Sequence, residues 1–194
     1  MKKILTLILV LTCAFALFSC GDDETPAPVY TEDAAEFISA FAATTVSNLK
    51  VTVTAQTAEG TLTSTYTTAY NADKSGTMTY AIETIPGVDS VEDIVVVEGT
   101  VTFDKDGNYS DGGEISGKLG ATGVNKFNIS SNAIKTFSVD GNVLAITVPA
   151  ADTQAVIGYA IGSDALVTVT KADGKITSIA LSYTGVSIVC EYNK

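Results

Sequence analysis

From Lys50 onward, apolar and polar side chains alternate with a period of two along much of the chain. In the first such stretch, Val51, Val53 and Ala55 alternate with threonine and glutamine. The alternation returns in later segments, whose apolar members are Met78, Tyr80 and Ile82, then Ile179, Leu181 and Tyr183, and finally Val186, Ile188, Cys190 and Tyr192. A period of two places successive side chains on opposite faces of a β-strand, and threonine suits the solvated face. The pattern therefore predicts an antiparallel sheet with one apolar and one polar face.

Turn sequences separate these alternating runs. Residues 104–107, 140–141 and 172–175 each combine aspartate with glycine between two strand-like segments. Such sequences join adjacent antiparallel strands in hairpins. On this basis we expect about nine or ten strands.

One helix is predicted ahead of the strands, near residues 33–48. Its apolar residues recur at three- and four-residue spacing and form a single stripe: Ala34, Phe37, Ile38, Phe41, Ala42, Thr45, Val46 and Leu49. Such a stripe packs against a core. A second short helix is predicted from about Asp152 to Tyr159, after Pro149.

The single long helix is too narrow to cover this many strands. A helix is about 10 Å wide and strands lie about 4.8 Å apart, so one helix covers roughly two or three of them. The remaining apolar surface has to be closed by curling of the sheet, by the second helix, or by a partner or ligand. We therefore predict a mainly β (α+β) fold: a curved antiparallel sheet or half-barrel with the N-terminal helix packed on its concave face.

The N-terminal leader has the features of an export signal. Lys2 and Lys3 precede an apolar run of 15 residues, 4–18, which is shorter than the roughly 20 residues of a membrane span. The sequence Leu-Phe-Ser-Cys at residues 17–20 resembles the lipobox of bacterial lipoproteins. The resemblance implies cleavage after Ser19 and lipidation of Cys20. The alternative is an ordinary secretory signal followed by a chance cysteine.

This leader implies three segments and a membrane partner. Residues 1–19 are the expected signal peptide, residues 20–30 an acidic, proline-containing tether that carries the lipidated Cys20, and residues 31–194 a single β-rich domain. Two acyl chains hold a protein stably at a membrane that it does not span. The expected location is the bacterial cell envelope, with the protein lipid-anchored and facing outside the cytoplasm.

Acidic residues follow Cys20 directly. The run Gly-Asp-Asp-Glu at residues 21–24 also resembles the surface-export signal of Bacteroidota lipoproteins, which would place the protein on the outside of the outer membrane. A solvated spacer explains the same residues.

The cysteines leave no pair for a disulfide within the mature chain. Cys13 departs with the signal peptide and Cys20 is acylated, so Cys190 remains alone. Because Cys190 is in phase with Ile188 and Tyr192, we expect it to be a buried core residue rather than a nucleophile.

The order of lipobox, tether, helix and antiparallel meander resembles the LolA and LppX-type half-barrel lipoproteins. That resemblance implies a hydrophobic cavity in the concave face that holds a lipid. Tyr66, Tyr70 and Tyr80 are the predicted ligand-binding residues, with ordinary sheet core as their alternative role. One departure is that carriers of this kind often place an arginine inside the cavity, and this chain contains no arginine.

The chain lacks the residues that several kinds of catalytic and binding site need. The chain has no histidine, arginine or tryptophan, so neither a serine–histidine triad nor a bidentate phosphate clamp is available. A net charge of −11 repels nucleic acid. Asp104, Asp106 and Asn108 match the start of a calcium loop, but Tyr109 and Ile115 occupy positions that need glycine and glutamate. We predict no catalytic residue, no metal and no cofactor.

Three functions remain open for such a chain. The leading prediction is a membrane-anchored module that binds a lipid or another hydrophobic ligand in the concave sheet. The alternative is an envelope or cell-surface structural protein that engages another protein through its threonine-rich strands. The third is an enzyme using paired carboxylates, which we do not expect because the acidic residues lie mainly in turns and at strand ends.

Overall fold

The computed structural model describes residues 30–58, 60–87, 94–110, 116–118 and 127–193. The predicted signal peptide, Cys20 and all of the tether except Tyr30 lie outside these ranges. Two short helices begin the described chain, α1 (Tyr30–Asp33) and α2 (Ala35–Ala43). The strands are β1 (Asn48–Thr57), β2 (Gly60–Tyr70), β3 (Gly76–Pro86), β4 (Val95–Phe103), β5 (Asn108–Ser110), β6 (Ser116–Lys118), β7 (Thr136–Asp140), β8 (Val143–Val148), β9 (Ala165–Ala172), β10 (Lys175–Tyr183) and β11 (Val186–Tyr192).

All the described strands form one antiparallel sheet, and this confirms the predicted fold class. The sheet has 11 strands in the order β6-β5-β4-β3-β2-β1-β11-β10-β9-β8-β7. It is curved, and its two end strands, β6 and β7, are not paired with each other, so it stays open. The two meanders β1–β6 and β7–β11 meet where β1 pairs with β11.

The alternation in the sequence corresponds to two faces of this sheet. One continuous row on the inner, concave face is apolar in all but one position and crosses nine strands: Phe137, Ile146, Val167, Leu181, Ile188, Val53, Ser64, Ile82 and Val97. A row on the outer face is mostly polar and crosses seven: Thr170, Ser178, Glu191, Lys50, Thr67, Thr79 and Thr100. The inner face therefore carries the core.

The α1–α2 segment packs on the inner face, as predicted, against β9 and β10. Phe37 is buried in the core together with Val169 and Ile179. Lys171 on β9 forms an ion pair with Glu36, and its ammonium lies 5.0 Å from the centroid of the Phe37 ring. These contacts fix the helix over the β7–β11 half of the sheet.

The predicted helix boundary at residue 48 is wrong, because α2 ends at Ala43. Thr44 is extended, and its hydroxyl donates to the carbonyl of Ala40 at 2.7 Å and accepts from the backbone N–H of Ile176 at 2.8 Å. A threonine that bonds the preceding turn and a neighbouring strand offers the chain an alternative to further helix. Thr45, Val46 and Leu49, predicted to lie on the helical stripe, fall beyond the helix end, and Leu49 belongs to β1.

A second short helical segment closes the same half of the inner face. It consists of a 3-10 turn, Ala150–Asp152, followed by α3 (Thr153–Val156), and it ends short of the predicted Tyr159. Thr153 is fully buried, and its hydroxyl donates to the carbonyl of Ala150 and accepts from the N–H of Ile161. In the part of the chain that the structure describes, we find no helix that is both long and apolar enough to cross a bilayer.

Candidate functional site

A cavity opens at the end of the inner face where β1 begins and β2 ends. Its volume is about 560 Å³, within the roughly 300–1,000 Å³ of small-molecule sites. Its main lining residues are Val46, Leu49, Tyr70, Asn71, Lys74 and Tyr192, and the remaining ones are small and uncharged. The cavity lies beside the helix end, where the chain leaves α2 and crosses to β1.

The wall formed by residues 44–47 is held by the C-terminal end of the chain. The Asn193 side-chain carbonyl accepts from the N–H groups of Ser47 (2.8 Å) and Asn48 (3.2 Å), and its amide donates to the carbonyl of Thr45 (2.8 Å). Asn193 has a φ of 55°, a left-handed conformation that asparagine tolerates better than most residues. One amide group therefore fixes the crossing segment and keeps the cavity wall in place.

The Tyr70 wall is held by an aromatic contact across a glycine. Tyr70 on β2, Gly76 on β3 and Phe103 on β4 are directly opposite one another in the sheet register. The Tyr70 and Phe103 rings meet edge to face, with centroids 5.7 Å apart. Because Gly76 has no side chain, the two rings can approach above it. Tyr70 is thus positioned before any ligand arrives.

The titratable side chains on the inner face around this cavity are held in their neutral forms. Burial raises the pKa of Tyr192 and Tyr70, and Cys190, which is fully buried, has its thiol pKa raised by burial to about 12. Lys74, in the β2–β3 turn, is the only charged side chain among the lining residues. The cavity thus has a neutral interior and a cation at its rim.

The three tyrosines predicted to line a cavity do not meet in one place. Tyr70 lines the cavity described above. Tyr66 and Tyr80 are opposite each other on the inner face; Tyr66 is half-buried against the core. Tyr80 pairs with Gly99, where an added Cβ would lie 2.5 Å from the Tyr80 hydroxyl, so the ring extends across β4.

Sequence reasoning missed most of the other lining residues. Val46 and Leu49 lie on the predicted helical stripe, and nothing in the alternation of β11 distinguishes Tyr192 from its neighbours. The usable signal was the β-branched run Thr44-Thr45-Val46, which disfavours helix.

The calcium-like residues have a structural role in the β4–β5 turn. The Asp104 carboxylate accepts from the N–H groups of Asp106 and Asn108, both at 2.9 Å, and from the Asn108 side-chain amide. These bonds stabilise the hairpin turn. Within the described ranges, no three histidine, cysteine or acidic side chains are grouped to hold a metal ion.

Comparison with known proteins gives a distant similarity to solved structures. Neither a protein-family model nor a curated protein matches this chain. Among solved structures, the chain is similar to the crystal structure of LprF from Mycobacterium bovis, with 10% sequence identity and a TM-score of 0.42. The match covers 87% of this chain and 94% of that chain. A TM-score of this size carries no inference about function.

Proposed function

We propose that this protein is a membrane-anchored, extracytoplasmic module that binds a hydrophobic ligand in the Tyr70–Tyr192 cavity. The observation that carries the proposal is the cavity itself, which has apolar walls from Val46, Leu49 and the two tyrosine rings. Burial of apolar ligand surface there contributes about 25 cal/mol per Å² removed from water. A cavity of this size and lining favours a hydrocarbon chain or a ring system over a polar metabolite.

The single cation at the rim favours a ligand with a polar or anionic end. Lys74 lies in an exposed turn, where an ammonium stays hydrated while the apolar part of the ligand enters the cavity. An amphiphile such as a lipid has this distribution of polar and apolar atoms. The proposal contains no catalytic step and no cofactor.

The anchor belongs to the same proposal and rests on residues 17–20. We expect Cys20→Ser to release the protein from the membrane fraction and to abolish labelling with a fatty-acid probe, because the thiol is the acyl acceptor. Labelling that persists in Cys20→Ser would contradict the anchor while leaving the cavity proposal in place.

Native mass spectrometry of the full chain, purified from its own membrane in detergent, tests the cavity. We expect an adduct of lipid mass on the wild-type protein. Val46→Trp places a large ring in the cavity and should remove the adduct. Val139→Trp is the matched control, since Val139 is an exposed valine on the edge strand β7, away from the cavity in the middle of the sheet, and it should retain the adduct. Absence of an adduct from the wild type, or equal loss in both variants, would contradict the proposal.

One observation favours the alternative, an interaction protein without a small ligand. Four consecutive large apolar residues, Ile94 to Val97, are between 52% and 58% exposed at the start of β4. Consecutive strand residues point to opposite faces, so this end of β4 is apolar on both. In this alternative the strand docks against another envelope protein.

A further inference from the structure

A second depression lies on the outer face of the sheet, where β2, β3 and β4 adjoin. Its volume is about 350 Å³, and it is lined by Thr65, Thr67, Thr79, Tyr80, Ala81, Glu98, Gly99 and Thr100. Tyr80 and Gly99 belong to an inner-face row, whereas the other six side chains alternate with that row and lie on the outer face. The depression is therefore separate from the Tyr70–Tyr192 cavity and independent of the function proposed for it.

The sheet register explains why a depression forms here. Thr65, Ala81 and Glu98 lie in one row across the three strands, and Thr67, Thr79 and Thr100 lie in the next. The alanine methyl group is the shortest of the six outer-face side chains. Strands lie about 4.8 Å apart, and side chains on one face repeat about every 6.7 Å along a strand. Four hydroxyls and one carboxylate thus lie around the Ala81 methyl group on a regular grid.

Most of these polar groups are not used by the fold. The Thr79 hydroxyl donates to the carbonyl of Thr67 at 3.4 Å, which is long for a hydrogen bond. Among the residues that the structure describes, the Thr65, Thr67 and Thr100 hydroxyls and the Glu98 carboxylate have no hydrogen-bond or ion-pair partner. Each hydroxyl can both donate and accept, whereas the ionised carboxylate only accepts.

From this arrangement we infer that the depression binds a neutral polyhydroxylated ligand, namely a sugar unit of a neutral saccharide. Sugar hydroxyls can donate to Glu98 and exchange hydrogen bonds with the threonines, and their C–H groups can lie on Ala81 and the threonine methyls. Hydrogen bonds to the charged Glu98 are the strongest that the site offers.

Other ligand classes fit the lining less well. An anionic ligand would be repelled by Glu98, and no lysine among the lining residues offsets that repulsion. The chain as a whole also carries a net charge of −11. An apolar ligand would strip water from the hydroxyls and the carboxylate without replacing their hydrogen bonds, which is unfavourable. The lining also contains a single carboxylate, fewer than the several oxygen ligands, usually including more than one carboxylate, that a calcium ion takes.

The test is a titration of the full chain, with ¹³C-labelled threonine methyl groups, in a detergent that has no sugar head group. The probes are maltohexaose and cellohexaose, which are neutral, and an oligogalacturonate, which is anionic. We expect one or both neutral sugars to shift the methyl signals of Thr65, Thr67, Thr79 and Thr100 saturably. The methyl of Thr168, on the outer face of β9, should not move.

Two isosteric variants and a matched control give the test its specificity. Glu98→Gln should weaken binding of the neutral sugar roughly tenfold, because it removes the charged acceptor. Thr100→Val should weaken it roughly threefold to tenfold. Thr168→Val makes the same chemical change outside the depression and should have no effect.

Three outcomes would overturn the inference. The first is the absence of saturable shifts with both neutral sugars. The second is a set of shifts that includes Thr168 to the same extent, which indicates general adhesion to the threonine-rich face. The third is binding of the oligogalacturonate as tight as that of the neutral sugars. None of these results bears on the lipid adduct that tests the Tyr70–Tyr192 cavity.

Discussion

At the scale of single residues, two glycines determine where aromatic rings lie on the inner face. Gly76 is buried between Tyr70 and Phe103 in the register, and Gly99 is paired with Tyr80. In both cases the ring occupies the space above a position with no side chain. Glycine is needed at these positions so that an aromatic ring can approach the backbone closely, and not for backbone freedom, since neither glycine has a positive φ.

We expect Gly76→Ala to destabilise the protein by about 2–3 kcal/mol, in the range of overpacking substitutions. The added Cβ would lie 2.0 Å from the carbonyl oxygen of Ala69 and 2.7 Å from the edge of the Phe103 ring. The backbone oxygen cannot move away without disturbing the β2–β3 ladder. Urea unfolding measures the change. Gly162→Ala is the control, because nothing lies within 4 Å of its Cβ, and equal stability of the two variants would contradict the argument.

At the scale of secondary-structure elements, the α1–α2 segment is the element whose removal we expect to be most costly. Phe37 is 1% exposed and lies under the Lys171 ammonium, whereas Phe41, on the same predicted stripe, is only half-buried. We therefore expect the helix to stabilise the fold mainly through the Phe37 ring, rather than equally through every apolar residue of its stripe.

Phe37→Ala should lower the free energy of unfolding by about 3–5 kcal/mol, the usual cost of truncating a buried phenylalanine. Ser39→Ala, on the exposed side of the same helix, should change it by less than about 0.5 kcal/mol. Thermal melting of the two variants beside the wild type measures both. Similar melting temperatures for the variants would show that the sheet is stable without the helix.

The β4 strand calls for a different substitution, because its apolar residues are exposed rather than buried. We expect Val96→Lys to reduce concentration-dependent association without lowering the melting temperature, since Val96 is 56% exposed and charge on a strand blocks pairing with another chain. Light scattering over a concentration series measures the effect. Val101→Lys is the contrasting variant: Val101 lies on the same strand but is 2% exposed, so it should unfold the protein.

Secondary-structure elements could be predicted from the sequence more accurately than tertiary contacts. Alternation identified the strands and their apolar face, because the period of two is a local property of each strand. The end of α2 was not predictable from its stripe, since Thr44 bonds to Ile176, which is remote in the chain. A cavity lined by Tyr70 was expected, but the other lining residues were not predictable for the same reason: Asn193, Tyr70 and Val46 come together only after the strands have paired.

At the scale of the whole molecule, Cys190 and three partly buried tyrosines packed against the core determine how stability depends on alkaline pH. Burial raises the pKa of Cys190 from 9.0 to about 12, and chiefly burial raises the pKa of Tyr159 from 10.0 to about 12. Tyr70 and Tyr192 are raised in the same direction. All four groups are neutral in the folded protein at physiological pH.

Stability should therefore be insensitive to these groups below pH 9 and should fall as the pH rises from about 9 toward 12. In that range the unfolded chain loses protons that the folded chain keeps, so deprotonation favours unfolding, by up to about 1.4 kcal/mol per pH unit for the fully buried Cys190 and by less for the partly exposed tyrosines. Urea unfolding at pH 8, 9, 10 and 11 measures the slope. Cys190→Ala should flatten its first part, and a stability that does not change up to pH 11 would contradict the assignment.

The pairing of β1 with β11 also has a consequence for how the chain folds. Leu49 is opposite Tyr192, so the sheet is joined in its middle by residues from nearly opposite ends of the sequence. Contacts of such long sequence separation form late, and they slow folding. A chain that emerges N-terminus first can complete the β1–β6 meander early, yet the free edge of β1 remains a site for mispairing until β11 is synthesised. A strand that is synthesised more than 100 residues after β1 thus unites the two halves of the sheet.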